Sequence, residues 1–129
     1  MKILEKEIDF DFFDAEQMEK YEKESEVAQK EIKNMMTNIK TMKQSELINS
    51  TCKTIENCFD NIFGEGSSKE IFKGKRNFKL CLRAFKDLVK ARKEQEDELD
   101  VEMADFEKEL KEIGVEYKPN RATRRAKKW

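Results

Sequence analysis

The sequence predicts an all-α protein: a helical domain of about four helices, two of them long, with an extended N-terminal arm. Two long runs place apolar residues at alternating spacings of three and four, which is the period of one helix face. Only one short segment, near the N-terminus, alternates apolar and charged residues as a strand does. The chain has 129 residues, of which 43% are charged and 37% hydrophobic, so it can bury one modest core.

The strand-like segment lies in the arm, residues 1–13, where Ile8, Phe10 and Phe12 alternate with aspartates. A lone strand cannot satisfy its own backbone hydrogen bonds. We therefore expect the arm either to pack in extended form on the helices or to pair with another copy of the chain. Phe10, Phe12 and Phe13 are interpreted as internal anchors rather than as ligand contacts.

The first long helix is expected to begin after an N-cap at Asp14 and to run over residues 15–43. Its seam has no glycine or proline and consists of Met18, Tyr21, Ser25, Ala28, Ile32, Met35, Ile39 and Met42. Methionines make such a seam adaptable. We expect its second half to pack within the domain. The mostly charged residues 18–30 are expected to form a coiled-coil or partner-binding surface.

A second helix is expected from a cap at Ser45 to a stop at Gly64, with a broad apolar face. Ser67 or Ser68 then starts a short helix. This part of the chain leads into residues 59–89, which hold five of the nine phenylalanines and three of the four glycines. The residues predicted to build the structural core are Phe59, Phe63, Gly64, Gly66, Phe72, Phe78 and Phe85.

The last helix is expected to begin after Asn77 and to continue to Gly114, because no glycine or proline interrupts it. Its distal seam carries one apolar residue per turn: Leu99, Met103, Phe106, Leu110 and Ile113. Such a sparse seam is expected to bury against the helix over 15–43 or against another chain. The helical domain then comprises residues 14–114, and residues 115–129 form a basic tail that is expected to be disordered when free.

Catalytic chemistry finds little support in the composition. The chain has no histidine, so Cys–His and Ser–His pairs are excluded. Cys52, Cys58 and Cys81 are read as reduced, buried thiols, and their spacing does not match a zinc site. Gly64-Glu65-Gly66 lacks the lysine of a phosphate-binding loop. No enzyme activity, cofactor or metal is therefore expected.

Charge is distributed unevenly along the chain. Residues 94–112 hold ten acidic and two basic side chains, whereas residues 118–129 hold six basic side chains and no acidic one. The basic tail can be a solubilising end, a nucleic-acid contact or a protein contact. We favour the protein contact, because arginine and tryptophan are common at the centres of interfaces. The predicted partner-binding residues are Arg121, Arg124, Arg125 and Trp129.

Three stretches carry a resemblance to a known family: FGEGSSKEIF with NFKLCLRAFKDLV in the middle of the chain, IDFDFFDAEQMEKYEKE near its start, and PNRATRRAKKW at its end. They resemble small tail assembly chaperones, or chaperone-like proteins, of phages and prophages of Gram-positive bacteria. The resemblance implies a protein that covers aggregation-prone surfaces of tail components, with the tape-measure or tail-tube protein as partner. It implies no catalytic motif.

The expected function is thus that of a non-catalytic phage tail assembly chaperone or related morphogenetic protein. The alternatives are a small nucleic-acid-associated or regulatory phage protein that acts through its basic tail, and a purely structural oligomer. The acidic body argues against nucleic acid as the partner. The sequence has no apolar run long enough to predict a membrane span or a signal peptide, so we expect the protein to remain in the host cytoplasm. A homo-oligomer is a further expected possibility.

Overall fold

A computed structural model, which describes residues 1–114, confirms the all-α fold class. Four helices follow a small N-terminal hairpin: α1 (Ala15–Thr37), α2 (Gln44–Phe63), α3 (Ser67–Phe72) and α4 (Phe78–Ile113). The hairpin consists of β1 (Lys2–Ile3) and β2 (Lys6–Glu7), which pair antiparallel. The chain divides into two compact units, unit 1 (Met1–Lys93) and unit 2 (Glu94–Trp129).

The arm contains a strand pair that the alternation of apolar residues does not reveal. The strands lie at residues 2–3 and 6–7, whereas residues 8–11 are extended without strand pairing. The alternating residues 8–12 therefore form no strand, and the arm packs on the helices through Phe10 and Phe12, which is the first of the two expected arrangements. Leu4 and Glu5 form the two-residue turn at positive φ, and the Asp87 carboxylate on α4 accepts a 3.0 Å hydrogen bond from the Leu4 N–H. The hairpin thus pairs with itself and is held by α4.

The aromatic residues of the arm extend a chain of ring contacts into the helices. Phe12 is buried and meets Tyr21 of α1 edge to face at 5.3 Å between ring centroids. Phe10 is half-buried and meets Phe63 of α2 in the same manner at 5.1 Å. Phe13, in contrast, is 48% exposed, so its prediction as an internal anchor was wrong.

Helix α1 begins as predicted but ends earlier. The Asp14 carboxylate accepts a 3.0 Å hydrogen bond from the Gln17 N–H, which confirms the N-cap. The helix ends at Thr37 rather than near residue 43, and Ile39 and Met42 therefore lie in the following turn. Local polar side chains explain the early end, because Thr37 and Asn38 both donate to the Asn34 carbonyl and compete with helix continuation.

Helix α2 starts at Gln44, two residues after the α1–α2 turn, with Lys43 at the cap position and no side-chain cap. Ser45 therefore lies inside the helix, and its prediction as the cap was wrong. The stop at Gly64 is confirmed: this residue has φ of 112° and ψ of 154°, a conformation that is essentially restricted to glycine. Gly66 then occupies the left-handed region directly before α3.

Asp60 of α2 caps α3 from a distance. Its two carboxylate oxygens accept hydrogen bonds from the Ser68 N–H at 2.8 Å and from the Ser68 hydroxyl at 3.0 Å. One of the orphan donors at the start of α3 is thereby satisfied by a side chain of the preceding helix. This contact fixes the turn between α2 and α3, and it explains why a helix of only six residues is stable there.

The predicted N-cap at Asn77 is confirmed by a 3.1 Å hydrogen bond from the Leu80 N–H to its side-chain oxygen. The predicted continuity of α4 is confirmed as well, because the helix runs through 36 residues without a break. Arg76, just before it, donates to the Glu56 carboxylate at 3.1 Å and to the Asn49 side chain at 2.9 Å. These bonds tie the α3–α4 linker to α2.

The core lies in unit 1, residues 1–93. Its buried apolar residues come from the hairpin, the arm, and the four helices, and among the described residues all of them lie before residue 94. The largest fully buried side chains are Phe59, Ile3, Ile55, Leu88, Cys52 and Cys81. In unit 2, the described residues comprise the distal part of α4, and no apolar side chain among them is fully buried.

Candidate protein-binding surfaces

The residues predicted to form the structural core occupy different depths. Phe59 and Phe72 are buried, and their rings lie 5.7 Å apart. Phe63 and Phe85 are only half-buried and pack against the core from outside. Phe78 is half-buried at the first position of α4. Gly64 and Gly66 lie in the α2–α3 turn described above. The predicted partner-binding residues Arg121, Arg124, Arg125 and Trp129 lie outside the described residues.

The three thiols are free and buried, as the sequence predicted. Burial raises the pKa of the Cys58 thiol to about 12, with a smaller contribution from the nearby Glu24 carboxylate. Burial also raises the pKa of Cys81, helped by a hydrogen bond with Cys52. Cys58 and Cys81 therefore carry protonated thiols at neutral pH, and such thiols are poor nucleophiles.

No group of three or more metal-ligating side chains occurs among residues 1–114. A groove of about 130 Å³ between α1 and α2 does contain Glu24 and Glu31, but both carboxylates already accept hydrogen bonds. Thr54 donates to Glu31 at 3.0 Å and Asn61 donates to Glu24 at 3.1 Å. These bonds link α1 to α2 and serve packing.

The distal part of α4 presents an apolar stripe on a strongly acidic helix. The stripe consists of Leu99, Met103, Phe106, Leu110 and Ile113, which recur once per turn. Phe106 is 50% exposed and Ile113 is 75% exposed, while the other three are half-buried. Val101 is also exposed but lies on a different face of the helix. The stripe is narrow, like the seam of a coiled coil.

A second exposed apolar site lies where α1 ends. Met36 is 64% exposed, and Ile39 in the following turn is also exposed. Ile39 was expected to be part of a continuous helical seam. Because the helix stops at Thr37, the turn presents Ile39 to solvent. The periodicity of the sequence could not reveal this exposure, since it depends on where the helix ends.

A groove of about 260 Å³ lies between the arm and α3. Its buried or half-buried apolar residues are Ile8, Phe63 and Ile71, and its exposed residues are Glu7, Asp9 and Glu70. Lys6 also borders the groove, and its ammonium group donates to the Glu70 carbonyl oxygen. Sequence reasoning missed this groove, because it joins segments about 60 residues apart.

The described residues therefore define a small all-α protein whose candidate functional features are surfaces: the acidic, striped helix, the exposed turn after α1, and the arm groove. None of the described helices is long and apolar enough to cross a membrane. Residues 4–128 match a family described as a family of unknown function (DUF6673), so the chain belongs to that family. No curated protein and no solved structure matches the chain.

Proposed function

We propose that the protein is a non-catalytic phage tail assembly chaperone, or a related morphogenetic protein, that binds tail components during assembly. The resemblance of residues 59–89 and of both ends of the chain to such proteins supports the proposal. The structural observation that carries it is the stripe on distal α4, where Phe106 and Ile113 are at least half exposed. Exposed apolar surface framed by charge is typical of protein-interaction sites.

The stripe suits a binder that later releases its partner. It offers one apolar residue per turn, so the area that it can bury is small, and small apolar contacts give modest affinity. Met103 can adapt its shape to different partner surfaces. The surrounding acidic side chains keep the helix soluble when no partner is bound. A tape-measure or tail-tube protein with an apolar helix of its own is the partner that this surface fits.

The basic tail is the second contact in this proposal. Arg121, Arg124, Arg125 and Trp129 would anchor on the same partner, because arginine and tryptophan dominate interface hot spots. Two linked contacts bind more tightly than either alone, since the second becomes intramolecular after the first forms. The stripe and the tail together then account for binding without any catalytic group.

The direct experiment is co-expression with the tail-tube and tape-measure proteins of the same genome, followed by affinity capture. The double variant Phe106→Gln/Ile113→Gln removes the two most exposed apolar side chains of the stripe. Val101→Gln is the matched control, because Val101 is 59% exposed on another face of the same helix. A chain that ends at residue 117 tests the tail. We expect the double variant and the shortened chain to capture less tail protein, and the control to capture as much as the original.

The truncated chain also distinguishes the chaperone function from the alternative, a nucleic-acid-associated protein. A nucleic-acid-associated protein that acts through its tail would lose DNA or RNA binding on truncation, with an affinity that falls steeply as salt rises. Under the proposed function, nucleic-acid binding is weak at physiological salt, because the rest of the chain is net negative. Loss of nucleic-acid binding with every tail-protein complex intact would replace the chaperone proposal with this alternative.

A further inference from the structure

We propose that the open edge of β2, with the groove beside α3, binds an extended, positively charged segment of a partner protein as an additional β-strand. The residues that form this surface are not those of the stripe or the tail, so the inference does not depend on the proposed function. Three features of residues 1–93 support it: the hydrogen-bond pattern of the hairpin, the apolar lining of the groove, and the charge around it.

The hairpin leaves the outer backbone edge of β2 open. The Ile8 N–H donates to the Met1 carbonyl at 2.7 Å, and the register pairs Lys2 with Glu7 and Ile3 with Lys6. Hydrogen-bonded and non-hydrogen-bonded pairs alternate in an antiparallel ladder. The Lys2–Glu7 pair is therefore non-hydrogen-bonded, and the Glu7 N–H and C=O point away from β1. Unpaired edges of this kind are templates for an added strand.

The groove next to this edge can hold a side chain of such a strand. Ile71 is buried, and Ile8 and Phe63 are half-buried, so the inner lining is apolar. The volume of about 260 Å³ lies below the usual range of small-molecule pockets, roughly 300–1,000 Å³. It is better suited to one or two side chains of a peptide. In strand addition, main-chain bonds provide affinity and such pockets provide specificity.

Charge determines which peptide fits. The Glu7 carboxylate is paired with the N-terminal ammonium at 2.7 Å, and Lys6 donates to a backbone carbonyl. Lys6 keeps its positive charge there, but Asp9 and Glu70 are exposed and make no ion pair within residues 1–114. The groove is thus lined by three carboxylates and one ammonium group, so an incoming segment meets an excess of negative charge. A second copy of the same edge would bring Glu7 and Asp9 against like charges. A partner segment with lysine or arginine on either side of an apolar residue meets complementary charge instead.

The test uses a labelled synthetic hexapeptide in which lysine and valine alternate, titrated into the full-length protein. We expect saturable binding, with the largest backbone NMR shift changes at Glu7 and Asp9. The same peptide with every second amide N-methylated cannot pair as a strand on that side, and it should bind about ten-fold more weakly or worse. Equal binding of both peptides, or shift changes confined to another surface, would overturn the proposal.

Two protein variants test the charge argument. Asp9→Lys/Glu70→Lys replaces the two carboxylates that form no ion pair with cations and should weaken peptide binding by about ten-fold or more. Asp97→Lys/Glu98→Lys makes the same change in charge at exposed positions of distal α4 and should leave binding nearly unchanged. Equal weakening by both variants would mean that net charge, not the groove, attracts the peptide, and the proposal would fail.

Two further outcomes would assign the edge to another occupant. If the original protein sediments as a dimer and Asp9→Lys/Glu70→Lys alters that equilibrium while peptide binding stays absent, the edge belongs to a second copy. If a chain that ends at residue 117 binds the peptide much more tightly than the full-length protein, the protein's own C-terminal residues compete for the groove. Either result contradicts a partner strand as the primary ligand.

Discussion

Apolar residues recur with the helical period both in residues 1–93 and in the distal part of α4, but their burial differs between the two regions. In residues 1–93 the apolar faces meet one another, and Phe59, Ile55 and Leu88 are fully buried. In residues 94–113 the period continues, yet Phe106 and Ile113 are exposed. A 3-4 repeat therefore identifies which face of a helix is apolar, while the neighbouring elements determine whether that face is covered.

The density of apolar residues explains the difference. On α2, the seam residues have apolar neighbours on both sides, such as Leu47, Cys58 and Phe63, which widen the face enough to meet several elements. On distal α4, glutamate and aspartate flank a seam only one residue wide. A wide face can form a core within one chain, whereas a narrow one resembles the seam of a coiled coil and suits a single partner helix.

Phe59→Ala gives the largest expected effect and tests the first half of the comparison directly. Phe59 is fully buried and its ring contacts those of Phe63 and Phe72. We expect the free energy of unfolding to fall by about 3–5 kcal/mol in urea titrations. Phe63→Ala and Phe85→Ala should cost less, because both side chains are half-buried. A small effect at Phe59 would show that the core lies elsewhere.

Asp60→Ala is expected to cost about 0.5–2 kcal/mol, the usual range for loss of a helix cap. The reason is that the Ser68 N–H and hydroxyl both lose their acceptor. Glu65→Ala, an exposed change in the adjacent turn, serves as the control and should be nearly neutral. Equal urea midpoints for Asp60→Ala and Glu65→Ala would mean that the Asp60 side chain does not stabilise α3.

The buried thiols predict a loss of stability at alkaline pH. The Cys58 thiol has a pKa near 9 when unfolded and about 12 when folded, so the folded state holds its proton more tightly. Its contribution is fully present below pH 9 and is lost as the pH rises from about 9 to about 12. We expect Cys58→Ala to show a shallower decline in unfolding free energy over this interval. If the unfolding free energy of Cys58→Ala declines as steeply as that of the original protein, the Cys58 thiol is in contact with solvent.

Ile113→Ala should have the smallest effect on stability, within about 0.5 kcal/mol, because the side chain is 75% exposed. When Ile113→Ala and Phe59→Ala are compared in the same urea titration, the difference between them reports the effect of burial, because both replace an apolar side chain. A loss of more than about 1 kcal/mol that grows with protein concentration would show that a second copy covers the stripe. That result would identify the distal part of α4 as an interface between copies of this chain rather than a surface for a different partner.

The sequence by itself determined the helical class, the caps at Asp14 and Asn77, the stop at Gly64 and the continuity of α4. These features depend on local chemistry: the period of apolar residues, side chains that accept from nearby N–H groups, and a backbone conformation restricted to glycine. Each of them involves residues within one or two helical turns, so the signal is present in the sequence itself.

The end of α1 is local as well, because Thr37 and Asn38 donate to the Asn34 carbonyl within one helical turn, although the apolar period alone does not show it. Only the tertiary structure decided the pairing of the hairpin and the depth of each phenylalanine. The hairpin turn at Leu4 and Glu5 has no glycine or asparagine to signal it, and Asp87 holds it from 83 positions away. Burial of Phe59 and exposure of Phe106 likewise depend on which elements meet in space. Contacts between residues far apart in the sequence depend on how the whole chain folds, so a local sequence pattern does not reveal them.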